Sequence, residues 1–157
     1  MRAHLRLELT GTDGRLLAVR EAHNSVLRTG ADLLAHLFAN QRTGITHMAV
    51  GTSDAPESQD FATTALTAST EVPLAADAFQ VDAPDPVKRI VRVRVRGTVP
   101  AASAVGTIRE AALVSRAGDT ATLYNRVLFA PIQKADDHEL TLFWEVGFPF
   151  GDLQWLL

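Results

Sequence analysis

Hydrophobic and polar positions alternate along most of this chain, and the period changes in one place. Residues 3–10 set Leu5, Leu7 and Leu9 against His4, Arg6 and Glu8, the period-two pattern of a half-buried strand. "GTDGR" follows, with Asp13-Gly14 suited to positive φ in a hairpin turn, and "RLLAVREAH" predicts the return strand. In "TGADLLAHLFAN" the spacing becomes helical. Leu33, Leu34, Leu37 and Phe38 share a face, which predicts a helix over 29–40 with Thr29 capping its start and Asn40 its end.

Beyond the helix, "ITHMAVGTS" reads as a short buried strand ending at Gly51. Residues 52–70 are small, polar and acidic and predict a surface loop with at most a helical turn around 60–66. In "TEVPLAADAFQV", Pro73 confines any strand to an edge or a bulge. "VKRIVRVRVRGTV" places Val87, Val91, Val93 and Val95 on one face and Arg92, Arg94 and Arg96 on the other, with residues 88–90 out of step. Three more strands are predicted by "TIREAALVS", "ATLYNRVLFAPI" and "HELTLFWEVGFPF". The last sends Leu140, Leu142, Trp144, Val146 and Phe148 to one side. The fold class is therefore β-dominated α+β: an antiparallel β-sandwich or open barrel with one main helix, in a single domain over 1–157.

Within "TIREAALV" strand alternation puts Glu110 on the face of Ile108, Ala112 and Val114. A carboxylate among apolar neighbours is either a catalytic acid or base, or half of an ion pair. A hairpin symmetric about Gly118 sets Glu110 opposite Arg126, Ile108 opposite Leu128, Ala112 opposite Tyr124 and Leu113 opposite Leu123. Opposite charges facing each other across strands set register. Catalysis needs a second convergent group, and the sequence offers none. Glu110 and Arg126 are read as a structural ion pair.

Composition changes this picture little. At 157 residues, 46% hydrophobic and 21% charged, the chain has ordinary globular proportions. A net charge of −3 gives no support to nucleic-acid binding. No run approaches a transmembrane helix, and the alternating N-terminus is unlike a signal peptide, so synthesis in a cytoplasm is expected. The lack of cysteine removes disulfides, thiolate metal sites and a cysteine nucleophile.

No phosphate loop, dinucleotide fingerprint or nucleophile elbow is present, and no catalytic, cofactor or metal residue is assigned. His4, His23, His36, His47 and His138 are scattered. "ADDHEL" lacks the spacing of a calcium loop and reads as a solvated turn. Arg92, Arg94 and Arg96 form either a polyanion groove or, favoured by the acidic balance, a solvated face or one that meets acidic loops of a neighbouring subunit. The apolar end Trp155, Leu156 and Leu157 either folds back or, as expected here, docks on another subunit, making 149–157 an interface tail.

"NSVLRTGADLLAHLF", "ITHMAVGTS", "TTAL", "IREAALV", "LYNRVLF" and "LTLFWEVGF", in that order, resemble the small structural proteins of bacteriophage tails and contractile injection particles. Ala112 stands where that pattern has a glycine, and "VGTSD" lacks a second glycine after the threonine. The resemblance implies a non-enzymatic component of a virion or phage-like particle, in the tail, baseplate or fibre-attachment region. Its partners would be copies of itself and other particle proteins, with no nucleic acid and no membrane insertion. The alternatives are a capsid decoration protein, or a carbohydrate-binding β-sandwich with Trp144 or Trp155 stacking on a glycan receptor.

Overall fold

The computed structural model describes residues 3–23, 25–52 and 59–152. The first hairpin pairs β1 (Ala3–Thr10) with β2 (Leu16–His23), and its turn places Gly14 at φ +76°. After β3 (Ser25–Val26) the chain enters α1 (Arg28–Phe38), then β4 (His47–Gly51) and β5 (Thr70–Pro73). A single 3-10 turn, Ala76–Ala78, leads into β6 (Phe79–Val81). The long strands follow: β7 (Ile90–Val99), β8 (Gly106–Ala117), the short β9 (Thr120–Leu123), β10 (Asn125–Lys134) and β11 (Glu139–Pro149).

Two antiparallel sheets result, in the orders β2-β1-β11-β7-β6 and β3-β10-β8-β4-β5, with β9 also on β8. The fold is a β-sandwich with one helix. Its core comes from alternate residues of both sheets. Leu5, Leu7, Leu140, Leu142 and Trp144 of the first sheet meet Met48, Ile108, Leu113, Val127 and Ile132 of the second, all nearly inaccessible. Each such side chain stabilises the fold by roughly 1.5–3 kcal/mol. Leu33 joins this cluster from α1, and Leu34 and Leu37 pack against it. Pro73 ends β5 at the margin of its sheet, where its missing N–H leaves no internal ladder bond broken.

Several boundaries differ from the sequence reading. Leu27, not Thr29, precedes the helix, and no side chain caps it. Thr29 instead donates its hydroxyl to the Leu123 carbonyl, tying the helix to β9. The N–H of Arg28 is taken by the carbonyl of Phe61. At the other end, Asn40 adopts φ +57°, its N–H bonds the Leu37 carbonyl, and the Gln41 N–H bonds that of His36. That is a Schellman closure.

Val87 lies outside β7, in a turn over 86–89 whose last residue, Arg89, has φ +55°. Asp85 holds this turn by accepting the N–H groups of Val87 and Lys88, and those bonds, Lys88's first, keep its carboxyl below the ordinary range. Residues 60–66 are loop with a single turn at 61–62, within what the sequence predicts. The predicted strand at 121–132 is two strands broken at Tyr124, whose phenol burial pushes up to about 12.

Candidate functional site

Glu110 and Arg126 are 1% and 6% exposed, and Arg126 Nε donates to Glu110 Oε2 at 2.7 Å. The register that joins them is not the symmetric one. The hairpin turns on two residues, Gly118 and Asp119, so Ala117 faces Thr120 and Leu123 faces Val114. At Tyr124 one extra residue enters the second strand, and Leu128 then faces Glu110. Two one-residue departures preserve parity, so Arg126 stays on Glu110's face and reaches it diagonally.

Asn125 mends the break. Its Oδ1 accepts the Leu113 N–H at 2.7 Å while the Leu113 carbonyl accepts the Tyr124 N–H.

Ile108 also departs from the face that simple alternation gives it. It packs in the inter-sheet core with Ala111 and Leu113, whereas Ala112 and Val114 pack outside with Leu27, Leu66 and Ala49. The alternation slips between Ile108 and Ala111, where Phe129–Pro131 of β10 bulge against Arg109. Pro131 has no N–H to give a regular ladder. Ile108 therefore lies on the face opposite Glu110.

Both oxygens of Glu110 are committed. Oε1 accepts the backbone N–H of Thr67 at 2.7 Å. Gly51, Glu110's partner in β4, leaves room for this contact: a Cβ there would lie 2.8 Å from Oε1 and 2.7 Å from the Thr67 carbonyl. Gln59 donates its Nε2 to the Arg126 carbonyl and sits 3.4 Å from Arg126 Nη1 through its Oε1. The pair thus clamps residues 59–67 onto the outer face of the second sheet, where Leu66 covers Ala49 and Ala112. A carboxylate held by an amide and a guanidinium at 1% exposure has no free lone pair aimed at solvent.

The arginine stripe faces outward from the first sheet. Arg94 lies 3.1 Å from Asp82 and 3.9 Å from Glu145, its cross-strand partner, and Arg92 lies 3.9 and 3.7 Å from the same two carboxylates. These acids belong to the same chain, Glu145 in β11 and Asp82 just after β6. Arg96 differs, lying 5.5 Å over the ring of Phe143 with no carboxylate within 4 Å among the described residues. Further along the sheet, Arg6 bridges Glu8 and Glu21.

The sequence reading missed three features. Glu71 and Arg116 form a bidentate pair at 2.6 and 2.7 Å across the outer face of the second sheet. Arg116 holds the Glu71 carboxyl below its ordinary range. Arg20, on the free margin of β2, donates to the carbonyls of Ala130 and Pro131 and so closes one side of the sandwich. Lys134 is buried with its Nζ on the Ala101 carbonyl at 2.7 Å, and burial pushes its pKa down. No periodicity announces these contacts, because their partners are remote in sequence.

Trp144 is 1% exposed in the core, which removes it as a sugar-stacking surface. Trp155, Leu156 and Leu157 lie outside the described residues, as does 53–58 of the predicted surface loop. The "ADDHEL" segment is a tight turn in which His138 Nδ1 accepts the Ala135 N–H. Among the described residues no group of three or more His, Asp or Glu is placed to hold a metal ion, and no helix is long and apolar enough to cross a membrane. No family model, no curated protein and no solved structure matches this chain.

Proposed function

We propose that this chain is a non-enzymatic structural subunit of a bacteriophage virion or phage-derived particle, in its tail, baseplate or fibre-attachment region. It works by joining copies of itself and neighbouring proteins. One observation carries the assembly part of this reading. Three exposed apolar side chains lie toward the end of the first sheet where β7 begins: Val81 at 66%, Val87 at 90% and Phe150 at 39%. There β6 stops, the 86–89 turn closes and the Phe150 N–H bonds the Arg89 carbonyl. Apolar groups left exposed at a sheet end favour burial against a partner. In sequence, Trp155, Leu156 and Leu157 follow Phe150 closely.

The ionisable groups support the same reading, since Glu110, Arg126, Glu71, Arg116, Arg92 and Arg94 are spent on one another or on adjacent strands. The particle class rests on the ordered motifs from "NSVLRTGADLLAHLF" to "LTLFWEVGF". The test is immunogold negative-stain microscopy of native particles with an antibody to this chain. Label on the tail or baseplate is expected. Label on the shell makes it a decoration protein, and label on no particle overturns the reading.

A further inference from the structure

β6 covers only part of β7. Its pairing runs from Val81 opposite Val93 to Phe79 opposite Val95, and the chain before it turns away through Ala76–Ala78. On its other side β7 stays paired with β11 as far as Val99 opposite Leu140. Among the described residues, 96–98 therefore have no strand partner on this side, while Val99 beyond them is buried. Beside them lies a groove of about 310 Å³, walled by Arg96, Gly97 and Thr98 on one side and by Pro73, Leu74, Ala75, Asp77 and Ala78 on the other.

The backbone direction at this edge follows from the register. The Arg92 carbonyl accepts the Asp82 N–H, so it points to the β6 side. Alternate residues of a regular antiparallel strand point the same way. Thr98, six residues on with no shift of register, turns its N–H and C=O into the groove. Its hydroxyl, 3.0 Å from that of Thr141, is engaged across the other strand. No strand lies beside Thr98 on the groove side among the described residues.

Charge defines what fits. Arg92 and Arg94 have carboxylates nearby, but Arg96, at the groove's lip, has only the Phe143 ring beneath it. A guanidinium laid on an aromatic face is oriented and keeps its donors for a planar anion. We infer that this groove takes an extended, acid-bearing peptide segment of a neighbouring protein as an added strand, with backbone bonds to Thr98 and a carboxylate on Arg96. Edge pairing supplies affinity and the guanidinium supplies selection. Asp77 on the facing wall fixes the polarity, keeping the ligand's carboxylate on the β7 side. The inference deepens the assembly reading, since a neighbouring subunit supplies the segment.

The test is an amide NMR titration of the full chain with three blocked hexapeptides of alternating threonine and valine. One carries a central glutamate, one a lysine there, and one the glutamate with N-methylated backbone. The glutamate peptide should give saturable shifts at Arg96–Val99 and at Leu74–Ala78. The other two should bind at least about tenfold more weakly, for want of charge or of donors. Arg96→Ala should abolish the preference for glutamate over lysine, and Asp77→Asn should tighten glutamate binding. Equal binding of the three peptides, shifts elsewhere, or none at millimolar peptide overturns the inference. Particle localisation by microscopy is an independent readout, so either result can fail while the other stands.

Discussion

Glu110 shows how one residue's role depends on its partners. A carboxylate 1% exposed is stable only because the Arg126 guanidinium and the Thr67 amide replace the water it lost. Removing one member of a buried pair leaves the other charge uncompensated, at a cost of about 3–5 kcal/mol. Arg126→Ala should therefore lower unfolding stability in urea by that amount. The double variant with Glu110→Ala should lose clearly less than the sum of the singles. A loss under about 1 kcal/mol would mark a solvated pair.

Glu71 gives a pH signature instead. Its folded pKa is depressed, first by the hydrogen bonds from Arg116, so its contribution is present above the unfolded value of 4.5 and is lost as pH falls through the folded one. Glu71→Gln should flatten the acid limb of the stability curve below about pH 5, and thermal melts between pH 2 and 7 would show it.

At the scale of elements, the helix is held by what it touches more than by its own caps. Gly30 sits so close to the second sheet that a Cβ would lie 1.8 Å from the Tyr124 carbonyl oxygen. In an isolated helix, Gly→Ala stabilises by roughly 1 kcal/mol. Here Gly30→Ala should do the opposite, lowering the melting temperature by several degrees or abolishing folding. An unchanged or raised melting temperature would mean that the helix stands off the sheet. The same dependence on packing takes Thr29 from the capping role that its position suggests: its side chain is drawn to the Leu123 carbonyl, which only the fold brings near. Asn40 was legible because the left-handed residue after a helix is a local backbone requirement.

For the whole molecule, the two sheets divide the work. The core between them accounts for most of the alternation visible in the chain. Their outer faces carry the ionic features: a clamped loop over the second sheet, and a belt of arginines and carboxylates across the first. Phe38, expected on the apolar face of the helix, is 96% exposed and stands alone in this among the helix's large apolar side chains. On the first sheet the end near Val81, Val87 and Phe150 and the edge at Thr98 are uncovered. Those two places are where association is expected, the first by apolar burial and the second by strand addition.

The sequence alone determined the long strands, the single helix and the inward set Leu5, Leu7, Leu140, Leu142 and Trp144, because side-chain alternation is a local consequence of backbone geometry. It also brought Glu110 and Arg126 to one face, since parity survives any even change of register. Tertiary structure alone decided their diagonal contact, the reversal of Ile108, the Glu71–Arg116 pair and the edge that β6 leaves bare. Each of those depends on bulges, or on where one strand stops against another. Such features arise from the meeting of distant segments, and no single segment records them.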